Sequence, residues 1–187
     1  MTRSRSAAQF LTKMFRERET GKTYWALCKG RPRHHEGKIS NWLVKEQTPD
    51  GDRMRIAQHG EQGADHAVTH YRIIETAGQQ LTWMELQPYT GRTHQLRIHM
   101  LDLGCPIIGD PKYFESDTNW DFPGGTQNRL HLLARRIQIP HPSGGMIDVT
   151  APLPPHMVQS WNLPGFEEST ADEWAPLDCR NAATAWT

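Results

Sequence analysis

The chain has 187 residues and a mass of 21.4 kDa, which suits one domain able to bury a sizeable core. Its 21 Lys/Arg balance 21 Asp/Glu, so net charge alone points to no polyanionic partner, and no stretch approaches the roughly 18 apolar residues of a membrane span. Three scattered cysteines, Cys28, Cys105 and Cys179, provide neither a C-x-x-C zinc ribbon nor a disulfide framework; a reducing, cytoplasmic location is expected.

The neutrality is an average. Net charge is +7 over residues 1–60, −3 over 61–115, 0 over 116–165 and −4 over 166–187. A basic front faces an acidic tail.

Ala7, Phe10, Leu11, Met14 and Phe15 follow the i, i+3, i+4 spacing of an amphipathic helix, and Ser6 with Gln9 resembles a capping box. Gly21 is placed to end that helix, and Lys13, Arg16 and Arg18 lie on its polar face, for solvent or for a phosphate backbone. Residues 22–29 (KTYWALCK) then read as a strand closed by Gly30 and Pro32. Short strands continue to about residue 87, the clearest being a hairpin of 66–76 (HAVTHYRIIET) with 80–87 (QLTWMELQ).

At 93–103 the spacing turns helical, with Leu96, Met100 and Leu103 apolar, Thr93 as the expected N-cap and Gly104 as the stop. Two extended stretches, 129–139 and 146–151, precede Pro154-Pro155, where a short helix can start. Beyond residue 165 apolar residues lose regular spacing, so 1–165 is read as the domain and 166–187 as a peripheral or disordered acidic tail. Strands with a few helices and no βαβ rhythm predict an α+β fold: a largely antiparallel mixed sheet with flanking helices.

Several chemistries fall away. His94 and His99 are five apart on a predicted helix, which spoils the i, i+4 geometry of a helical zinc pair, and His34-His35 has only Glu36 nearby, so no metal site is expected. There is no G-x-S-x-G elbow and no phosphate-loop or dinucleotide glycine spacing. What remains is TGRTHQLR. Arg92 precedes a helix N-terminus, a place suited to phosphate, and Arg97 would require a carboxylate if it faces inward.

The string LQPYTGRTHQLRIHMLDLGCPIIGDPKYF (86–114) resembles a hallmark of the RluA-type pseudouridine synthases, the branch typified by the ribosomal large-subunit enzymes. KTYWALCKG (22–30) is similar to that family's second motif, and RLHLLARRIQIPHPSGGMIDVTAPLPPHM (129–157) to its third. The resemblance implies a cofactor-free, metal-free isomerase that flips a uridine out of RNA, cleaves its glycosidic bond with the help of an aspartate and rejoins the base through C5. It implies that Tyr24 stacks on the base and assists proton removal from C5. Arg97 is implied to pair with the catalytic aspartate, and Arg92, Thr93 and His94 to lie near the bound nucleotide, with Lys13, Arg16 and Arg18 on basic surface meeting RNA. Ribosomal RNA is the expected partner, with transfer RNA second, and no membrane; oligomeric state is left open. Leu133 stands where many relatives show histidine.

In the family the catalytic aspartate sits in an HRLDxxTSG stretch, which this sequence lacks. At the family's usual spacing it would fall a few residues before Met1. Asp110 reads as a structural turn aspartate, and Asp102 sits on the helix after the arginines. The expectations are a fragment or misplaced start of an enzyme, inactive by itself, with a sheet edge or part of the cleft uncovered and the carboxylate partner of Arg97 outside the chain. The alternative is a non-catalytic RNA-binding module on the same frame.

Overall fold

The computed structural model describes residues 5–16, 20–49, 51–114, 126–172 and 174. The first helix, α1 (Arg5–Arg16), buries Met14 and exposes Lys13. Two expectations change here. Ser6 lies inside the helix, and Gly21 opens the first strand because its backbone is already paired with Gln138.

Among the described residues seven strands form one open sheet: β1 (Gly21–Lys29), β2 (Glu36–Thr48), β3 (Gly51–Ile56), β4 (Asp65–Ala77), β5 (Leu81–Pro88), β6 (Leu132–Pro140) and β7 (Met146–Thr150). Their spatial order is β3-β2-β4-β5-β1-β6-β7, and every pairing among them is antiparallel. The hairpin read from sequence is β4–β5, turned through Gly78, whose φ of 60° lies in the left-handed region that favours glycine. Among the described residues β3 and β7 are the edge strands, and Met146 and Val149 are exposed on β7.

Strand alternation divides the core between the two faces of the sheet. On one face Ala26 and Cys28 of β1, Met84 and Leu86 of β5, Ile39 of β2 and Tyr71 of β4 meet Leu96 and Met100 of a second helix, α2 (Gln95–Asp102). On the other, Trp25, Leu27, Leu81 and Trp83 meet Met157 and Trp161 of α3 (Pro155–Asn162), whose first turn is set by proline. Trp83 has edge-on contacts with Trp25 at 4.7 Å and Trp161 at 5.5 Å between ring centroids. Leu133 packs against this aromatic core.

The expected boundary at residue 165 does not hold for the packing. Phe166 is buried in the aromatic core, 6.0 Å from Trp83 between ring centroids. A 3-10 turn (Glu168–Thr170) follows, and acidic side chains then find arginines on the sheet: Glu168 pairs with Arg135 at 2.9 Å and Asp172 with Arg72 at 2.7 Å. Trp174 lies 5.2 Å from the Arg72 guanidinium. Opposite charge and aromatic surface hold this segment where irregular apolar spacing suggested a loose tail. Among the described residues no helix is long and apolar enough to cross a membrane.

Candidate active site

β1 places Lys22 and Tyr24 on the α2 side of the sheet, the side also taken by Ala26 and Cys28. Tyr24 is half-buried against the cluster containing Leu96 and Met100, and burial raises its phenol pKa above the ordinary value. Lys22 Nζ lies 3.8 Å from the position a Cβ would occupy on Gly91, so the start of β1 adjoins the TGR loop.

That loop enters α2 differently from the sequence expectation. Thr93 is exposed and is not the N-cap; the cap position belongs to His94, whose φ of 52° is the only positive value among the described non-glycine residues, and no side chain hydrogen-bonds there as a cap. Gln95, the first helical residue, holds the preceding loop instead. Its Oε1 accepts the Arg92 N–H at 3.0 Å and the Thr90 hydroxyl at 2.7 Å, folding the loop back on the helix start.

Arg92 lies at the loop surface, about a third exposed. Its Nε donates to the His66 carbonyl at 3.2 Å, and its Nη1 is 3.6 Å from the Asp65 carboxylate. His94 Nδ1 lies 2.9 Å from Tyr113 Oη, which itself accepts the Met54 N–H at 2.8 Å. The phenol proton is therefore available to His94 Nδ1, a neutral-ring arrangement. Burial, then the charges of Arg97 and Lys112, lower the His94 pKa.

Arg97 has a partner that the sequence reading did not give it. Its carboxylate partner is inside the chain: Nε donates to Asp110 Oδ2 at 2.7 Å and Nη2 to Asp110 Oδ1 at 2.6 Å. The Asp110 side chain is fully buried and also accepts the backbone N–H groups of Lys112 at 2.9 Å and Tyr113 at 3.0 Å. Asp110 is thus a turn aspartate, as its motif position suggested, and an ion-pair partner as well. Burial alone would raise its pKa; the Arg97 bonds and two backbone donors outweigh it and hold the carboxyl below the usual range. The Arg97 guanidinium packs 4.8 Å from the Tyr113 ring centroid. A guanidinium has two edges that can each receive a carboxylate, and Asp110 occupies the Nε/Nη2 edge.

Lys13 is exposed on α1; for Arg16 only the helical backbone is described, and Arg18 lies outside the described residues. The structure thus gathers Arg92, His94 and Arg97 around the entry to α2. Tyr24 lies on that side of the sheet and packs against the cluster that includes Leu96 and Met100 of α2. Sequence reasoning missed Lys22, Gln95 and Tyr113, and assigned Asp110 half its role. A G-D-P turn thirteen residues beyond an arginine carries no signal that the two side chains meet.

Comparison with known proteins adds an independent line. The family described as RNA pseudouridylate synthase matches residues 1–102. The chain is 33% identical over 232 aligned residues to RNA pseudouridine synthase 4, mitochondrial, of Arabidopsis thaliana, an alignment covering 92% of this chain and 49% of that protein. It is 34% identical over 142 residues to the dual-specificity RNA pseudouridine synthase RluA of Escherichia coli strain K12, covering 76% of this chain and 61% of that protein. Among solved structures, human RNA Pseudouridylate Synthase Domain Containing 4 superposes with a TM-score of 0.67 at 30% identity, covering 84% of this chain and 67% of that one. The chain spans about half the length of the first curated relatives it matches.

Proposed function

Since the chain belongs to the RNA pseudouridylate synthase family, we propose that it carries the uridine-binding part of an RNA pseudouridine synthase acting on ribosomal RNA. The observation that carries this reading is the convergence on one side of the sheet of Tyr24, Lys22 and the TGR loop with Arg92. An extruded uracil would stack on the Tyr24 ring, whose phenol would assist proton removal from C5, while Lys22 and Arg92 would meet the flanking phosphates. Looped or single-stranded RNA is the sensible target, because unstacked bases cost less to extrude. The buried free thiols of Cys28 and Cys105 suit a reducing compartment, the cytoplasm in this reading.

Cleavage of the glycosidic bond requires a further carboxylate. The sequence contains no HRLDxxTSG stretch, and Asp110 is already committed to Arg97 and to two backbone donors. We therefore propose that these 187 residues by themselves bind RNA and leave uridine unconverted, the incoming carboxylate of the complete reaction meeting the guanidinium edge of Arg97 opposite Asp110. Both parts are tested by incubating the purified chain with ribosomal RNA, measuring binding and mapping pseudouridine by specific chemical labelling. Binding without conversion is expected; conversion would overturn the inactivity, and absence of binding would overturn the RNA-binding role.

A further inference from the structure

Behind the TGR loop, polar groups form one continuous chain that links α2 to β4 and β2, buried at Gln95, Thr69 and His99 and reaching the surface at Asp102. His99 and Thr69 are 0% exposed and Gln95 3%, so unpaired hydrogen-bonding atoms here would carry a full desolvation cost. His99 Nε2 lies 2.9 Å from Asn41 Oδ1, and Asn41 Nδ2 donates to Asp102 Oδ2 at 3.3 Å. His99 Nδ1 lies 2.8 Å from Thr69 Oγ1, which accepts from Gln95 Nε2 at 2.9 Å. Gln95 Nε2 also donates to the Val68 carbonyl at 2.9 Å, and Gln95 Oε1 receives the Arg92 N–H and the Thr90 hydroxyl.

Each direction in the chain is forced. The Arg92 N–H can only donate and the Val68 carbonyl can only accept, which orients the Gln95 amide. Asp102 as a carboxylate can only accept, which orients Asn41 and presents its oxygen to His99. His99 must then carry its proton on Nε2 and accept the Thr69 hydroxyl proton at Nδ1. Thr69 Oγ1 keeps a lone pair for Gln95. Burial lowers the His99 pKa to about 4, which keeps the ring neutral at ordinary pH.

We propose that Thr69 and His99, acting through Gln95, are positioning residues that fix the backbone of Thr90–Arg92 and so the direction in which Arg92 meets RNA. The RNA half of this inference rests on the function proposed above; the positioning half stands on the hydrogen bonds alone. None of the three side chains needs to touch RNA. The strand β4, by holding Thr69, sets the loop that follows β5.

The test compares Thr69→Val, which swaps the hydroxyl for a methyl of similar shape, with Thr69→Ser, which keeps the hydroxyl, in the full 187-residue chain. Amide hydrogen exchange at Arg92 should accelerate about tenfold in Thr69→Val with Leu27 in β1 unchanged. Binding to a single-stranded uridine oligonucleotide should weaken about fivefold, and Thr69→Ser should recover both values. Unchanged Arg92 exchange in Thr69→Val, or an equal loss in Thr69→Ser, would overturn the proposal. Nitrogen NMR of the unsubstituted chain gives a second arm that needs no variant to fold. Protonated Nε2 and bare Nδ1 at His99 are expected, and the opposite tautomer refutes the relay. If the unsubstituted chain binds no uridine RNA, the proposed function fails, while exchange and tautomer still decide the positioning.

Discussion

Arg97 and Asp110 form a two-point ion pair, Nε to Oδ2 at 2.7 Å and Nη2 to Oδ1 at 2.6 Å, with the carboxylate wholly buried and the guanidinium side chain 13% exposed. The pair ties α2 to the turn at 110–113 and leaves one edge of the guanidinium for another partner. Asp110→Asn keeps the shape and removes the charge, leaving Arg97 buried without its counterion. Breaking such a pair from one side costs about 3–5 kcal/mol. Urea unfolding of Asp110→Asn is expected to show a loss of that order, and a loss under about 1 kcal/mol would mean that water or another group satisfies Arg97.

The same pair contributes to acid sensitivity. The folded-state pKa of Asp110 lies below its unfolded value. Its stabilisation is therefore fully present above the unfolded carboxyl range near pH 4 and is lost as pH falls through the folded value. Unfolding midpoints measured from pH 5 downward should fall more steeply for the unsubstituted chain than for Asp110→Asn.

His99 acts in a higher window. Its folded pKa of about 4 lies below the ordinary imidazole value of 6.5, so the unfolded chain binds the proton more readily. Stability is complete above about pH 6.5 and declines as pH falls toward 4, with an upper bound of about 3 kcal/mol from this group. His99→Gln should lower the midpoint at pH 7 yet flatten the decline between pH 6.5 and 4.5. A decline as steep as in the unsubstituted chain would remove His99 from the explanation.

Arg72 separates a buried ion pair from an exposed one. Its Nη2 is 3.3 Å from Glu85, whose side chain is 6% exposed, and its Nη1 is 2.7 Å from Asp172, whose side chain is 84% exposed. Asp172→Asn should cost less than about 1 kcal/mol. Arg72→Ala strands the Glu85 carboxylate with Trp25 Nε1 at 3.3 Å and should cost about 3 kcal/mol or more. Burial already raises the Glu85 pKa, so protonation should relieve part of the Arg72→Ala loss as pH falls. Equal costs for the two variants in chemical unfolding would contradict this ranking.

Phe166 and Gly109 test the packing. Phe166→Ala removes a ring set against Trp83 and Trp161 at centroid distances of 6.0 and 6.5 Å and should cost about 3–5 kcal/mol, a loss that a loose tail would not produce. Gly109 has a φ of 69°, and a Cβ there would overlap the Arg129 carbonyl; Gly109→Ala should destabilise the chain through backbone displacement at the turn that holds Asp110. Thermal unfolding of either variant at the unsubstituted midpoint would show that the core adapts around it.

Local pattern was enough for most of the elements. The amphipathic spacing of α1, the β4–β5 hairpin with its glycine turn and the proline start of α3 are each set by residues close in sequence, which is why they were legible. Three ordered motifs also carried the family resemblance. Helix ends were less legible, because the entry to α2 is held by Gln95 from within the helix and by Thr69 from β4, and not by a Thr93 cap.

What the sequence determined by itself is thus the α+β character and the element types, consequences of short-range periodicity and turn chemistry, while the candidate site residues followed from the three motifs that carry the family resemblance. The tertiary structure alone decided which charges meet. Arg97 with Asp110, Arg72 with Glu85 and Asp172, and Arg135 with Glu168 are pairs whose members lie on different elements. Charge complementarity states only that a buried guanidinium needs a carboxylate; the path of the chain through the sheet chooses which one.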